Sequence, residues 1–173
     1  MEKSSIFVDG GYLNRIKRKL NVYDIDFFEL SESICKMLDT RRLRTYYYNC
    51  MPLVRKGNKE DEKRFSKMQS FMTNIKRLPR FEVRLGKLQN IDGKFRQKMV
   101  DVLMSIDIID MCFDKQIESV VVIAGDADFV PAIKKAKNYG AIVHLFYHPD
   151  SVHNELLDTV DELHEINEGL LNS

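Results

Sequence analysis

Residues 119–128 read SVVVIAGDAD. The first six of these residues are almost wholly apolar, and Gly-Asp-Ala-Asp follows them directly. A second run of the same kind, AIVHLFY, occupies residues 141–147. Strands this apolar on both faces are typical of a parallel sheet that helices cover on each side. The two runs therefore predict a three-layer α/β/α sandwich.

Strand-like and helix-like segments alternate along the rest of the chain. Runs rich in β-branched and aromatic residues predict strands at Ser5–Val8, Leu43–Asn49, Phe81–Leu85, Ser119–Ala124 and Ala141–Tyr147. Helical spacing of apolar residues predicts helices at Leu13–Leu20, Phe27–Leu38, Glu60–Ile75, Met99–Phe113, Phe129–Tyr139 and Glu155–Ile166. This alternation indicates βαβ units, and hence an α/β fold with a mainly parallel, five-stranded sheet.

Length and composition are those of an ordinary globular protein. The chain has 173 residues, of which 44% are hydrophobic and 31% charged, so we expect one domain over residues 1–173 and exclude disorder. No apolar run approaches the roughly 18 residues of a membrane span or resembles a signal peptide, so we expect a cytoplasmic protein with no membrane partner. Three widely spaced cysteines, Cys35, Cys50 and Cys112, predict buried thiols rather than disulfides or a zinc site.

Aspartates follow two of the predicted strands directly. Asp9 directly follows the first strand, and Asp126 and Asp128 follow the fourth. Each could instead cap the helix that begins next, since aspartate is a favoured N-cap residue. Three carboxylates at neighbouring strand ends would repel one another, however, and are tolerated mainly when a cation neutralises them. Because ligands of open parallel sheets bind beyond the carboxyl ends of the strands, the pattern predicts a divalent-metal site there.

A further aspartate, Asp101, lies in the opening turn of the fourth predicted helix. It could point into the same crevice, or it could simply stabilise the positive end of the helix dipole. Asp107 lies about 240° further round the helix, so we expect it to join Asp110 and Asp114 on a more solvated face. Val102, Met104, Ile106, Ile109 and Phe113 are predicted as apolar positions of this helix.

Three segments together resemble the NYN domains of the PIN-like nuclease superfamily, and within them the bacterial LabA-like group. They are FVDGGYL at residues 7–13, KMVDVLMSID at residues 98–107 and IAGDADFVPAIKKAKNYGAIV at residues 123–143. The resemblance implies a PIN-like, Rossmann-like sheet with strands ordered three-two-one-four-five. It also implies that Asp9, Asp101, Asp126 and Asp128 converge on Mg²⁺ or Mn²⁺ as catalytic metal ligands that hydrolyse a phosphodiester, usually in RNA.

The chain departs from the family pattern at two positions. Many relatives carry Asn three residues after the first Asp, where this chain has Tyr12, and Asn14 offers a polar side chain two positions later. We therefore treat Asn14, and not Tyr12, as a candidate substrate contact. Ala124 replaces the usual Ser before Gly-Asp, which removes one hydroxyl.

Basic residues are concentrated in the middle of the chain, where residues 41–98 hold 17 Lys and Arg against 5 Asp and Glu. Such a zone attracts polyanions, although a solvated helical face would have the same composition. We take Arg55, Lys56 and Lys59 as candidate substrate contacts, and Lys98 because the family pattern includes it. The expected partner is nucleic acid, with RNA favoured over DNA. The sequence leaves the oligomeric state open.

Two other functions compete with a nuclease. A non-catalytic adaptor that binds nucleic acid or protein would keep the same fold, and Tyr12 makes that alternative reasonable. A phosphatase would also use aspartates at strand ends, but no Asp-x-Asp motif follows the first strand and no phosphate-binding glycine loop occurs. Among the other residues, Tyr46, Tyr47 and Tyr48 are predicted to alternate between two buried layers, and His144, His148 and His153 are predicted to be ordinary strand and loop residues.

Overall fold

The protein forms one sheet with helices on both faces. The structure is a computed structural model that describes residues 1–91 and 94–172, and it describes side chains at these residues except for 89–98. The strands are β1 (Lys3–Asp9), β2 (Arg41–Cys50), β3 (Phe81–Ile91), β4 (Lys94–Lys98), β5 (Ser119–Ile123), β6 (Ile142–Tyr147) and β7 (Glu162–Glu165). The helices are α1 (Gly10–Lys19), α2 (Phe27–Met37), α3 (Lys59–Arg77), α4 (Val100–Phe113), α5 (Val130–Asn138), α6 (Asn154–Thr159) and α7 (Glu168–Leu171). Short 3-10 turns occupy Ala127–Phe129 and Pro149–Ser151.

The strand order is β4-β3-β2-β1-β5-β6-β7. Six strands are parallel, and β4 pairs antiparallel with β3 as a hairpin at one edge. The five predicted strands are all present, in the predicted order. Because β1 lies between β2 and β5, the chain reverses direction across the sheet there, which is where a ligand crevice opens.

The prediction of one helix over Glu155–Ile166 is wrong in its second half. The chain instead forms α6 and then β7, which pairs parallel with β6. Leu156 on α6 is fully buried, whereas Leu163 is 49% exposed on the edge strand. Glu162, Leu163 and Glu165 are exposed and His164 is half-buried, as expected of a strand at the edge of a sheet.

Alternate residues of the central strands enter two separate cores. Phe7, Val120 and Val122 face the core formed with α4, α5 and α6, whereas Ile6, Val8, Val121 and Ile123 face the core formed with α1, α2, α3 and α7. Every residue of β5 is buried, as its apolar sequence predicts. The tyrosines of β2 alternate as expected: Tyr46 and Tyr48 enter the first core, and Tyr47 enters the second. All three cysteines are buried.

The start of α4 differs from the prediction. The helix was predicted from Met99, but Lys98 ends strand β4 and Met99 lies between that strand and the helix. Met99, in the left-handed region at φ 77°, turns the chain from the hairpin into the helix, which begins at Val100. The hairpin thus delivers Asp101 into the first turn of α4.

Two further expectations for α4 are wrong. Asp107 does not lie on the solvated face: its Oδ2 accepts a 2.6 Å hydrogen bond from the buried Tyr48 hydroxyl and lies 3.6 Å from Arg84 Nε. Several apolar positions are also not in the core, because Val102, Ile106 and Phe113 are exposed while Met104 and Ile108 are buried. The exposed set forms a stripe on the outer side of α4. No described helix is both long and apolar enough to cross a membrane.

Candidate metal centre

Two aspartates of the candidate site belong to the turn that follows β5. Asp126 Oδ1 accepts a hydrogen bond of 3.1 Å from Asp128 N and so caps the short 3-10 turn. The capping alternative is therefore correct for Asp126, but a carboxylate has a second oxygen, so capping does not prevent metal ligation. The preceding Gly125 has no room for a side chain, since a Cβ there would overlap the Ser151 carbonyl oxygen and the Tyr12 ring. This close packing holds the acidic turn against α1.

Asp101 approaches the same point from α4. One carboxylate oxygen of each of Asp101, Asp126 and Asp128 lies within 4.8 Å of the others. Asp101 is partly buried, whereas Asp126 and Asp128 are exposed. Three carboxylates from two separate elements thus share one small volume at the carboxyl end of the sheet.

Asp9 lies at the end of β1, beside this group. Its Oδ1 accepts a hydrogen bond of 3.0 Å from Tyr12 N and caps α1. Burial raises the pKa of Asp9 above its usual range, and the hydrogen bond from Tyr12 and the charge of Arg15 act in the opposite direction. Asp9 also interacts electrostatically with Asp126 and Asp101. It does not belong to the closely spaced group formed by Asp101, Asp126 and Asp128.

Crowding of these carboxylates perturbs the pKa of Asp101. Burial of its side chain, followed by the charges of Asp9, Asp126 and Asp128, raises the pKa of Asp101 from 3.8 to about 6. Carboxylates held together without a neutralising cation resist ionisation in this way. A site that penalises its own negative charge favours the binding of a cation.

The donor set fits a hard divalent cation. All four candidate ligands are carboxylates, and oxygen ligands suit Mg²⁺ and Mn²⁺ better than metals that prefer thiolate or imidazole. Asp9, Asp101, Asp126 and Asp128 come from three separate stretches of the chain, so any bound ion would join β1, α4 and β5.

Two residues of α1, Tyr12 and Arg15, belong to the site although the sequence did not single them out for it. Tyr12 is 1% exposed, and its hydroxyl accepts a 2.9 Å hydrogen bond from His148 N, which ties the loop after β6 to α1. The Arg15 guanidinium lies 5.9 Å from the Tyr12 ring centroid and is exposed beside Asp126, in a depression of about 410 Å³. The three-residue spacing of Asp9, Tyr12 and Arg15 is the only sequence signal for this arrangement.

The predicted basic contacts occupy different environments. Arg55 forms a bidentate ion pair with the buried Asp61, at 2.6 and 3.0 Å, and its hydrogen bond holds the Asp61 pKa at about 2. Lys56 and Lys59 are exposed in and just after the loop that follows β2. The side chain of Lys98 lies outside the described residues.

Asn14 is partly exposed on α1 and lines a depression of about 270 Å³ with Arg15, Arg18 and Asn49. Arg15 also lines the depression beside Asp126, so the two hollows are adjacent across that side chain. Asn14 and Arg15 thus lie along one surface that leads to the acidic cluster.

A larger depression, of about 780 Å³, opens on the other side of the cluster between α4 and α5. Asp101 and Asp128 form its acidic wall, and the stripe residues Val102 and Ile106 and the helix-opening Pro131 contribute apolar surface. The acidic cluster therefore lies between an arginine-lined hollow and an apolar one.

Comparisons with known proteins agree with this architecture. An uncharacterised protein of Sinorhizobium fredii is 36% identical over 83 residues, which are 47% of this chain and 37% of that protein. An uncharacterised protein of Methanocaldococcus jannaschii is 38% identical over 52 residues, which are 30% of this chain and 22% of that protein. The matched parts thus make up well under half of these relatives' own length.

A solved structure has the same fold. The crystal structure of a protein of unknown function from Vibrio parahaemolyticus superimposes with a TM-score of 0.66 at 20% identity, over 96% of this chain and 94% of that one. The family model of the NYN domain matches residues 3–167. With that match across nearly its whole length, the chain belongs to the NYN domain family.

Proposed function

We propose that the protein is a divalent-metal-dependent nuclease that hydrolyses phosphodiester bonds, with RNA as the favoured substrate. The observation that carries the proposal is the convergence of Asp101, Asp126 and Asp128 within 4.8 Å, with Asp9 beside them. The NYN family belongs to a superfamily of nucleases, which agrees with this chemistry. The motif resemblance also leads us to propose the LabA-like group within the family.

The four carboxylates would hold one or two Mg²⁺ or Mn²⁺ ions. When bound, such an ion polarises a phosphate and lowers the pKa of water. The aspartates themselves fix its position, because Asp9 and Asp126 are each held by a main-chain hydrogen bond and Asp101 by the first turn of α4. Rigid carriers of this kind keep the ligands in place without reorganisation during the reaction.

The surfaces on either side of the cluster suit a single strand of nucleic acid. The exposed guanidinium of Arg15 can neutralise a backbone phosphate on one side, and we propose that Asn14 contacts the same strand. The apolar hollow lined by Val102, Ile106 and Pro131 can receive an unstacked base on the other. A paired duplex would not present a base to that hollow, so we expect single-stranded substrates to be preferred.

The basic residues after β2 have a more distant part in this proposal. Lys56 and Lys59 are exposed and attract the polyanion over a longer range, which raises the rate of encounter. Arg55 is already paired with Asp61, so we propose that it holds the loop and that its contribution to substrate binding is small.

The experiment that tests the proposal is cleavage of end-labelled single-stranded RNA, and of DNA of the same sequence, by the wild type, Asp126→Asn and Asp110→Asn. Asp110 is an exposed aspartate of α4 outside the cluster, so its variant is the matched control. We expect cleavage in Mg²⁺ or Mn²⁺ by the wild type and by Asp110→Asn, and none in EDTA or by Asp126→Asn. Binding of both polymers without cleavage would overturn the proposal in favour of a non-catalytic adaptor.

A further inference from the structure

A second group of potential metal ligands lies at the other edge of the sheet. His144 is on β6, and Glu162 and His164 are on the edge strand β7. In the parallel register His144 is opposite Glu162, and Phe146 is opposite His164. Residues two apart on a strand share a face, so the three side chains project from the same side of the sheet.

The three side chains converge on a common point. His144 Nδ1 lies 3.1 Å from Glu162 Oε2, His164 Nε2 lies 3.6 Å from the same oxygen, and the two ring nitrogens are 3.4 Å apart. Two ligands at about 2.0–2.1 Å from a tetrahedral zinc ion are separated by roughly 3.3–3.4 Å. The three ligand atoms are therefore spaced much as three ligands of a tetrahedral zinc ion are.

The surroundings hold two of these ligands in place. The His144 side chain is 7% exposed, within the sheet, and the His164 side chain is 20% exposed. The His164 ring stacks on Phe146 with a centroid distance of 4.6 Å and an interplanar angle of 17°, which fixes the direction of its nitrogens. Glu162 is 54% exposed, so the group remains open to solvent on one side.

This group is separate from the aspartate cluster. Phe146 lies in the core formed with α1, α2, α3 and α7, so the histidine face of β6 is the side opposite to α4. Asp101 is carried by α4, whose Met104 and Ile108 pack in the other core. The aspartates lie at the ends of β1 and β5 and in the first turn of α4, whereas the histidines and Glu162 lie on β6 and β7, so the two groups are separate and also differ in chemistry.

We propose that His144, Glu162 and His164 bind one Zn²⁺ ion, or a similar borderline transition metal, with water as a further ligand. Two imidazoles and one carboxylate are a ligand set that zinc accepts and that Mg²⁺ does not favour. The ion ties the edge strand β7 to β6, and thereby fixes the segment that leads to α7. The proposal does not depend on nuclease activity, because none of its ligands belongs to the aspartate cluster.

The test uses the metal-free full chain titrated with Zn²⁺ by calorimetry, and with Co²⁺ as a spectroscopic probe. Intense visible absorption of Co²⁺ marks four- or five-coordination with nitrogen ligands, whereas an all-oxygen, six-coordinate site at the aspartates gives only weak bands. We expect one intense Co²⁺ site in the wild type and in Asp126→Asn. We expect at least about 100-fold weaker Zn²⁺ binding in His164→Phe and Glu162→Gln, since even an outer-shell partner is worth about 10–100-fold.

The controls separate ligation from folding. Glu165→Gln changes an exposed glutamate on the same strand but on the opposite face, and should bind Zn²⁺ as the wild type does. His164→Phe retains a ring that can stack on Phe146, and far-UV circular dichroism checks that both ligand variants are folded. Loss of the Zn²⁺ and Co²⁺ signals in Asp126→Asn alone, or unchanged binding in folded His164→Phe, would overturn the proposal. Either result would mean that His144, Glu162 and His164 form a hydrogen-bonded group that does not bind a metal.

Discussion

Replacing Asp101 by Asn should stabilise the metal-free protein while abolishing cleavage. In the folded chain the carboxyl pKa of Asp101 is raised from 3.8 to about 6, first by burial and then by Asp9, Asp126 and Asp128. The native state therefore binds this proton more tightly than the unfolded chain does. Linkage requires the wild type to lose stability as the pH rises from about 4 to about 6, and to carry the full penalty above that range. Asn has no carboxyl group to ionise and carries no such penalty.

The magnitude follows from the pKa. A rise of about two units corresponds to roughly 3 kcal/mol, because each unit is worth about 1.36 kcal/mol. Asp101 is only partly buried, so solvent screening reduces this to about 1.5–2 kcal/mol. The carboxylate also gains about 0.3–1 kcal/mol from the N-terminus of α4, which Asn loses. The net gain for Asp101→Asn is then about 1 kcal/mol, or roughly 2–4 °C in Tm.

Thermal unfolding in EDTA at pH 4 and at pH 7.5 measures this effect. Asp101→Asn should melt above the wild type at pH 7.5, and the difference should disappear at pH 4, where Asp101 is protonated. Asp110→Asn, on the exposed side of the same helix, should show no such pH-dependent gain. Mg²⁺ should raise the Tm of the wild type and have little effect on Asp101→Asn. A variant that melts below the wild type in EDTA at pH 7.5 would refute the electrostatic argument.

Three other substitutions test how the site is supported. Tyr12→Phe removes the hydroxyl that accepts a hydrogen bond from the His148 main-chain N–H and should cost about 1–3 kcal/mol; an unchanged urea midpoint would contradict this role. Tyr48→Phe removes the 2.6 Å hydrogen bond to Asp107 and should cost about 1.5–3 kcal/mol in urea unfolding, whereas Phe in place of the exposed Tyr23 should be neutral. Gly125→Ala places a methyl group against the Ser151 main-chain oxygen, so it should lower the free energy of unfolding by about 1–3 kcal/mol and weaken the Mg²⁺-dependent rise in Tm. A stable variant with an intact metal response would show that the turn can move.

The strands that the sequence pattern predicts most directly are those that bury both faces. β5 and β6 are apolar apart from Ser119 and His144, so their positions follow from composition. β4 reads KFRQK and β7 reads ELHE, and neither has the apolar alternation that marks a strand. Both lie at the edges of the sheet, where pairing with one neighbour suffices and charged residues are common.

The same distinction applies to the candidate site. Asp9, Asp126 and Asp128 could be picked out from the sequence because Asp9 directly follows one predicted strand, Asp126 and Asp128 lie in the turn after another, and parallel strands end at a common edge. The contacts of Tyr12 with the loop after β6, and the meeting of His144 with Glu162 and His164, join residues far apart in the chain. The position of β7 was missed, so nothing in the pattern could bring the two histidines together.

The aspartate cluster draws on the beginning of the chain and on the turn after β5, with α4 between them. During synthesis on the ribosome, therefore, the cluster cannot assemble until β5 and the Gly125 turn have emerged and β5 has paired with β1. A prematurely terminated chain that ends before β5 would lack two of the four carboxylates, even if its first strands were folded. A metal site built from all four carboxylates therefore requires synthesis of the chain at least as far as Asp128.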